Sequence, residues 1–338
     1  MILHVMVMEK FMPAYIDFIS ANFDLSEHKF VFITSQKYMY GLNPSYPVEF
    51  LHTDEDFILL AIYFDVADKI ILHGLWRDKV NSLLIQNSVW LEKSFWVMWG
   101  GDFYHAELYK PEHINVIANV GNLVTITDGD VDWVRKKYFS KGRYIKRCFS
   151  YPSNIYRELA SDVVLEGGYR VLLGHSAAKD NNHKSIIDLI LAAGWCEKWP
   201  DIKFFCPLSY PSNAKYVKEV ISYGEEKLKE KFVPMLSFMP LDEYEMFLGS
   251  IHLAILPSWR QNGMGNLIRL LGSGIPVFIN TKSTLYDLFI SLDLKVFSLS
   301  DLVQFDGSTL DCSGNIDIIK GYFTESQLKN DWMSIFNS

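Results

Sequence analysis

Cysteine is sparse in this 338-residue chain: Cys148, Cys196, Cys206 and Cys312 stand far apart, and no CxxC pair exists. That spacing argues against a zinc site or a disulfide framework and fits a reducing compartment. Long hydrophobic runs are also missing. The apolar stretch from Phe57 to Phe64 is interrupted by Asp65 and Asp68, so no segment reads as a bilayer span. The first residues, Met1-Ile-Leu-His-Val-Met-Val7, lack the charged start of a secretory signal and read as a buried strand. Positive charge is in deficit, with a formal net charge of -8, which excludes general nucleic-acid binding. There is no Walker loop, no DxD-like metal motif at a strand end, no solenoid repeat and no low-complexity tract.

What is present is a well-buried globular composition, 49% hydrophobic and 15% aromatic, in a chain too long for one ordinary core. Short apolar runs alternate with amphipathic stretches, the pattern of parallel sheets covered by helices. In the first half the strands fall near Ile2–Val7, Phe30–Thr34, Lys69–His73, Ser94–Trp99 and Leu123–Thr127. Helices fit at Pro13–Asn22, Glu55–Val66, Arg77–Asn87 and Asp130–Tyr138. A second series of strands begins at Tyr169–Gly174 and continues at Ile202–Cys206, Phe232–Leu236, Leu253–Leu256 and Pro276–Asn280. Its helices fit at His183–Cys196, Ala214–Gly224, Leu241–Leu248, Gly265–Leu271 and Leu285–Ile290. Turn residues at Tyr151–Asn154 and Glu166–Gly168 put a linker within 151–168. The expected organisation is α/β, two Rossmann-like doubly wound domains at 1–155 and 165–320. A last helix within 321–338 is expected to pack back on the first domain. Two such sheets facing each other would form a cleft at the carboxyl ends of their strands, where open sheets bind ligands.

The most informative stretch is Arg260-Gln261-Asn-Gly263-Met-Gly265-Asn266, between the run Leu253–Leu256 and an apolar segment ending at Gly274. It reads as a strand, a polar loop and a helix start. Helix starts present unpaired N–H groups and attract anions, glycines let a backbone approach a ligand, and arginine is a forked, permanent cation. A plain strand-to-helix turn fits these residues as well. Gly174-His-Ser176-Ala-Ala-Lys179-Asp-Asn181-Asn-His183 has the same placement after the first strand of the second domain. Ser176, Lys179, Asn181 and His183 could cradle a diphosphate; equally, Asn181 or Asn182 could simply cap the helix. Tyr210, in Cys206-Pro-Leu-Ser-Tyr-Pro-Ser-Asn213, could stack on a base or mark an ordinary turn.

In the first domain His73-Gly74 and Trp99-Gly-Gly-Asp102-Phe-Tyr104 end strands. Asp102 is a candidate general base on a sugar hydroxyl, His73 a second and Glu9 a third, although loop aspartates and strand-end histidines more often serve structure. The run Arg135, Lys136, Lys137, Lys141, Arg143, Lys146 and Arg147 holds no acid and is interleaved with Tyr138, Phe139, Tyr144 and Phe149. It suits an anionic membrane surface at about 1 kcal/mol per cation, or a merely solvated helix face.

Taken together, His73-Gly74, Phe95-Trp96, Trp99-Gly100, Asp102, Tyr104, Gly174, Ser176, Asn181, His183, Pro207, Tyr210-Pro211, Arg260-Gln261, Gly263, Gly265, Gly274-Ile275-Pro276 and Asn280 stand in an order that resembles a known family. It is that of the TDP-4-acetamido-4,6-dideoxygalactose (Fuc4NAc):lipid II transferases, glycosyltransferase family 56, of enterobacterial common antigen synthesis. His175, Ala177 and Asn266 depart from the family's pattern. The resemblance implies a GT-B architecture, and a nucleotide-sugar donor, a TDP-sugar, held mainly by the second domain. It implies an acceptor on a polyprenyl diphosphate, at the cytoplasmic face of the bacterial inner membrane, and a peripheral enzyme of common-antigen or O-antigen assembly. No cofactor and no metal are expected. The departing diphosphate would be neutralised by protein groups: Arg260, the N–H groups from Gly263 to Asn266, and Ser176, Asn181 and His183. The alternatives are a nucleotide-sugar epimerase of the same architecture and a non-catalytic protein binding nucleotide or lipid-linked glycan.

Overall fold

The computed structural model of the protein describes every residue except 38, 147, 160–167, 211–212 and 308–309. Part of the expected linker (160–167), Arg147 and Pro211 therefore lie outside the described residues. The chain divides into two compact units, Met1–Ile155 together with Glu325–Ser338, and Tyr156–Thr324.

The first unit is built on β1 (Ile2–Met6), β2 (His28–Phe32), β3 (Val48–Phe50), β4 (Lys69–His73), β5 (Ser94–Val97), β6 (Asn122–Val124) and β7 (Arg143–Ile145). They form one sheet in the order β3-β2-β1-β4-β5-β6-β7. Every pairing is parallel; Val5, for instance, pairs with Val31 on one side and Leu72 on the other. The central strands are buried on both faces, which explains why they read as unbroken apolar runs. The crossovers are α1 (Met12–Asn22), α2 (Asp56–Val66), α3 (Asp78–Leu84), α4 (Ser88–Glu92), α5 (Pro111–Asn119) and α6 (Asp128–Tyr138). The helix expected over Arg77–Asn87 is α3, which stops at Leu84; a further helix, α4, begins just beyond it, where the Asn87 side chain accepts from Val89 N at 3.0 Å. Strands β3 and β7 were not expected. Each has three residues, and β7 lies inside the basic run, where charge on a sheet edge hides the strand pattern.

The second unit holds β8 (Arg170–Leu173), β9 (Lys203–Pro207), β10 (Phe232–Met235), β11 (Leu253–Leu256), β12 (Val277–Ile279) and β13 (Phe297–Ser298). Their order is β10-β9-β8-β11-β12-β13, again parallel throughout. The helices are α7 (His183–Ala192), α8 (Trp195–Lys198), α9 (Ala214–Leu228), α10 (Leu241–Gly249), α11 (Met264–Gly272), α12 (Thr284–Ser291) and α13 (Gly314–Tyr322). Gly194, at φ +71°, ends the turn after α7 and splits the helix expected over His183–Cys196. Leu173, Ile187, Trp195, Phe204 and Phe278 belong to one buried core.

Helix α14 (Glu325–Phe336) belongs to the first unit. Leu328, Trp332 and Ile335 recur at helical spacing and are buried, and Trp332 Nε1 donates to Ser150 O at 2.8 Å. In each unit the first strand lies between the strands that follow it on opposite sides, β1 between β2 and β4, β8 between β9 and β11. Such reversal points open a crevice at the carboxyl ends of the strands, where ligands bind.

Candidate active site

In the second unit the reversal point lies between β8 and β11. Gly174 follows β8 at φ +70°, and its N–H donates to Ile255 O at 2.8 Å. A Cβ there would stand 2.6 Å from His183 Nε2 and 3.3 Å from Asn181 Oδ1, so glycine is required both by the backbone and by its neighbours. Asn181 Nδ2 donates to Ser176 O at 3.0 Å and Ser176 Oγ at 3.1 Å, while Asn181 Oδ1 is buried without a partner. The imidazole of His183 is likewise fully buried. Its Nδ1 lies 2.9 Å from Tyr216 Oη, and Nε2 is unpaired. Burial drives the His183 pKa down to about 3, so the ring is neutral. Where the Tyr216 hydroxyl donates to Nδ1, the proton is on Nε2. Asn182 stands at the N-cap of α7 in the left-handed conformation, and its Oδ1 accepts from Ser185 Oγ at 3.0 Å instead of from a backbone N–H.

Arg260 corrects an expectation. It is not an open cation: Nε donates to Asp180 Oδ2 at 2.5 Å, and both side chains are largely buried. Nη1 also donates to Gln261 O at 3.2 Å. The pair ties the loop after β8 to the loop after β11, so its first contribution is to hold the two together. A second tie lies nearby, where Gly263, at φ +73°, caps α11 and would place a Cβ 3.0 Å from the His175 ring. Gly265 lies inside the first turn of α11, not in the loop, and its carbonyl accepts from Arg269 Nη1. Asn266 is a second correction, because its Nδ2 donates to Tyr244 Oη at 3.0 Å on α10 and is committed there. Tyr210 is 41% exposed, and its carbonyl accepts from Ala177 N at 2.7 Å, which draws it to the Ser176 loop. Contacts thus link Gly174, Ser176, Asn181, His183, Tyr210, Arg260 and Gly263 through the loops that follow β8, β9 and β11. Lys179 stands in the first of those loops.

The first unit overturns two candidates. Asp102 is 1% exposed, and its carboxylate is fully engaged. Oδ2 accepts from Trp96 Nε1 at 2.7 Å and Leu75 N at 3.1 Å, and Oδ1 accepts from Trp99 N at 3.0 Å. Burial raises its pKa while those donors pull it back. Its task is to pin the turns after β4 and β5 to each other. His73 is also sealed, with Nδ1 2.8 Å from Tyr151 Oη and Nε2 3.2 Å from His4 Nδ1. His4 Nε2 in turn lies 2.9 Å from His28 Nδ1. The sequence reading missed this chain of three imidazoles; the signal was histidine inside three otherwise apolar strands. Among the described residues no group of three or more His, Cys, Asp or Glu could hold a metal. Glu9, the third candidate, is half-buried just past β1.

Arg135, Lys136 and Lys137 occupy the last turn of α6, where cations oppose the negative end of the helix dipole. Lys141, Arg143 and Lys146 are also exposed. Tyr138 and Phe149 are buried, so the interleaved aromatics do not all face outward. Phe139 does, being 79% exposed in a left-handed C-cap. Among the described residues no helix is long and apolar enough to cross a membrane.

Two α/β units with parallel sheets and helices on them define a GT-B fold. The same fold is seen in the Anabaena protein Alr3699/HepE in complex with UDP-glucose, at TM-score 0.71 and 11% identity over 100% of both chains. WaaG, a glycosyltransferase involved in lipopolysaccharide biosynthesis, matches at TM-score 0.65 and 11% identity over 99% of this chain and 98% of that one. Sucrose-phosphate synthase from Thermosynechococcus elongatus matches at TM-score 0.69 and 11% identity over 100% and 98%. Residues 16–311 match the family described as 4-alpha-L-fucosyltransferase, glycosyl transferase group 56. The chain belongs to that family and is a glycosyltransferase.

Proposed function

We propose that the protein moves a deoxy-amino sugar of the Fuc4NAc type from a TDP-sugar to a polyprenyl-diphosphate-linked oligosaccharide. It would do so in bacterial surface polysaccharide synthesis, of the common-antigen or O-antigen kind. The observation that carries the reading is the pair of buried, unpartnered atoms His183 Nε2 and Asn181 Oδ1 around Gly174. Leaving such atoms unpaired costs roughly 1–3 kcal/mol each, and a bound ligand would recover it. His183 offers its Nε2–H to a phosphate oxygen, and Asn181 Oδ1 accepts from a hydroxyl or base N–H. The start of α11 adds backbone N–H groups and the positive end of a dipole. The UDP-glucose named with HepE supports a nucleotide sugar as the donor class.

In the reaction the bond from the anomeric carbon to the diphosphate oxygen breaks, and a bond to the acceptor oxygen forms. The nucleoside diphosphate leaves with one more negative charge, and the acceptor hydroxyl gives its proton to a base. Donors fixed in advance on the departing diphosphate are each worth roughly 3 kcal/mol of barrier. With Asp102 and His73 sealed, Glu9 takes the proton. The basic face around Phe139 would seat the enzyme on the cytoplasmic surface of the inner membrane, near the lipid-linked acceptor.

The test is a thermal-stability screen against TDP, UDP and their sugars, followed by transfer to extracted lipid-linked acceptor. TDP compounds should raise the melting temperature of the wild type, and His183→Ala should lose the effect. Absence of stabilisation by every nucleotide would overturn the proposal. So would conversion of nucleotide sugar in the absence of acceptor.

A further inference from the structure

An unpaired buried atom is not by itself a site. Asn81 on α3 is 1% exposed and both its amide atoms lack a hydrogen-bond partner, yet the cavity beside it measures about 20 Å³, room for little more than one water. At His183 the unpaired atom comes with a second residue that controls it. Tyr216, the third residue of α9, lies half-buried beside the imidazole. Its place is fixed by the start of its own helix, where the Asn213 side chain caps α9 and accepts from Tyr216 N at 3.1 Å.

The phenol oxygen meets His183 twice. It accepts from the His183 backbone N–H at 3.4 Å and lies 2.9 Å from Nδ1 of the ring. Two arrangements satisfy the shorter contact: the hydroxyl donates to Nδ1, or Nδ1–H donates to the hydroxyl. In the second, two donors converge on one oxygen, and the phenol proton has no other partner among the described residues. In the first, the oxygen receives the backbone N–H and gives its own proton to Nδ1. Burial keeps the ring neutral and the phenol protonated, so the one ring proton then resides on Nε2. The neighbouring amide favours the same arrangement. Asn181 Nδ2 faces Ser176 O, Ser176 Oγ and Ala178 O, which fixes the other end of the amide as the acceptor. Where Gly174 lacks a side chain, a Cβ would stand 2.6 Å from His183 Nε2 and 3.3 Å from Asn181 Oδ1. A bare Nε2 would put two lone pairs on that gap; Nε2–H puts a donor opposite an acceptor.

We infer that Tyr216 is a positioning residue for the donor: its hydroxyl sets the tautomer of His183, so that Nε2 carries the proton offered to the diphosphate. Without that hydroxyl the ring divides between two tautomers, and the Nδ1–H form turns a lone pair toward the ligand. A lone pair repels the anionic oxygen that an N–H would bind, so one misplaced proton removes an attraction and adds a repulsion. Tyr216 acts through His183 alone. The inference rests on the reading of His183 as a ligand of the donor diphosphate.

The experiment uses the full chain with isotope-labelled histidine, TDP as the probe, and the variants Tyr216→Phe, His183→Gln and the two combined. Phenylalanine keeps the ring and removes only the hydroxyl. The chain has nine histidines, and the resonances missing from His183→Gln identify those of His183. Long-range proton–nitrogen correlations should show wild-type His183 as the Nε2–H form alone. Tyr216→Phe should show a mixture with Nδ1–H, with the other histidine resonances unmoved and the fold therefore intact. TDP should bind Tyr216→Phe about tenfold more weakly than wild type, the worth of one hydrogen bond. In His183→Gln the amide nitrogen takes the place of Nε2 and keeps its protons whatever stands behind it. Adding Tyr216→Phe to that variant should change TDP affinity by less than about twofold, because no tautomer is left to set. An Nδ1–H form in wild type, or an unchanged tautomer or affinity in Tyr216→Phe, would overturn the assignment. So would an equal loss on the His183→Gln background, which would make the hydroxyl a mere tie between α7 and α9. Any of these results in a wild type that binds TDP leaves the transferase reading standing. A wild type that binds no nucleotide overturns that reading and this inference with it.

Discussion

Arg260 and Asp180 each hold the other's charge in a largely buried position. Removing one partner of such a pair leaves an uncompensated charge, whereas removing both does not. Arg260→Ala should therefore cost roughly 3 kcal/mol in urea unfolding and abolish stabilisation by nucleotide. Arg260→Ala combined with Asp180→Ala should recover most of that stability without restoring transfer. Full activity in the double variant would reduce the pair to packing. Asp102 is judged by the same logic. In Asp102→Asn an amide nitrogen replaces one of two accepting oxygens among three donors, at a cost of roughly 2 kcal/mol. Turnover per folded molecule should change little. A collapse of turnover in protein shown by circular dichroism to be folded would return Asp102 to the chemistry.

At the scale of elements, β1, β2 and β4 are joined through their histidines, and α14 covers them: the Phe336 ring lies 4.7 Å from that of His28 and 6.0 Å from that of His4. Burial lowers the pKa of His28 to about 4 and of His73 to about 3, and lowers His4 as well. These groups are neutral when folded, while unfolded imidazoles take up protons below about pH 6.5. The stability they permit is complete above pH 6.5 and is lost as pH falls from there toward 3–4. Asp331 on α14 works in the opposite sense. Burial raises its carboxyl to about 6, so on acidification from 6 toward 4 it favours the folded state. Urea unfolding from pH 8 to 5 should show a net decline on the acid side, and His28→Gln should flatten it. An unchanged slope in that variant would mean the chain is not what titrates. The α6–β7 face carries another prediction. Lys136→Glu with Lys137→Glu, or Phe139→Ser, should weaken co-sedimentation with anionic vesicles about tenfold, with no binding to zwitterionic ones. Equal binding to both vesicle types would detach this face from the membrane.

For the whole molecule, the two parallel sheets were legible because strands buried on both faces leave unbroken apolar runs, as at Lys69–His73 and Leu253–Leu256. Gly174 and Gly263 stand at positive φ, which the sequence did not reveal: Gly263 read only as room for a close backbone approach. The Arg260–Asp180 pair was not legible. Its partners are eighty residues apart, and they meet only because β11 lies beside β8. Asn81 carried no signal either, since an amide in an amphipathic helix is unremarkable until its partners prove absent. The loops after β8 and β11 lie in the second unit, and Asn81 lies in the first, and that yields the last prediction. Ligand binding stabilises a native state by about 2.7 kcal/mol at a hundredfold excess over Kd, and hydrogen exchange shows where it does so. Saturating TDP-sugar should slow exchange at 174–183 and 260–266 and leave 74–81 unaffected. A nucleotide that protects 74–81 while leaving the loop after β8 unchanged would place the donor in the first unit and invert the roles argued for both crevices.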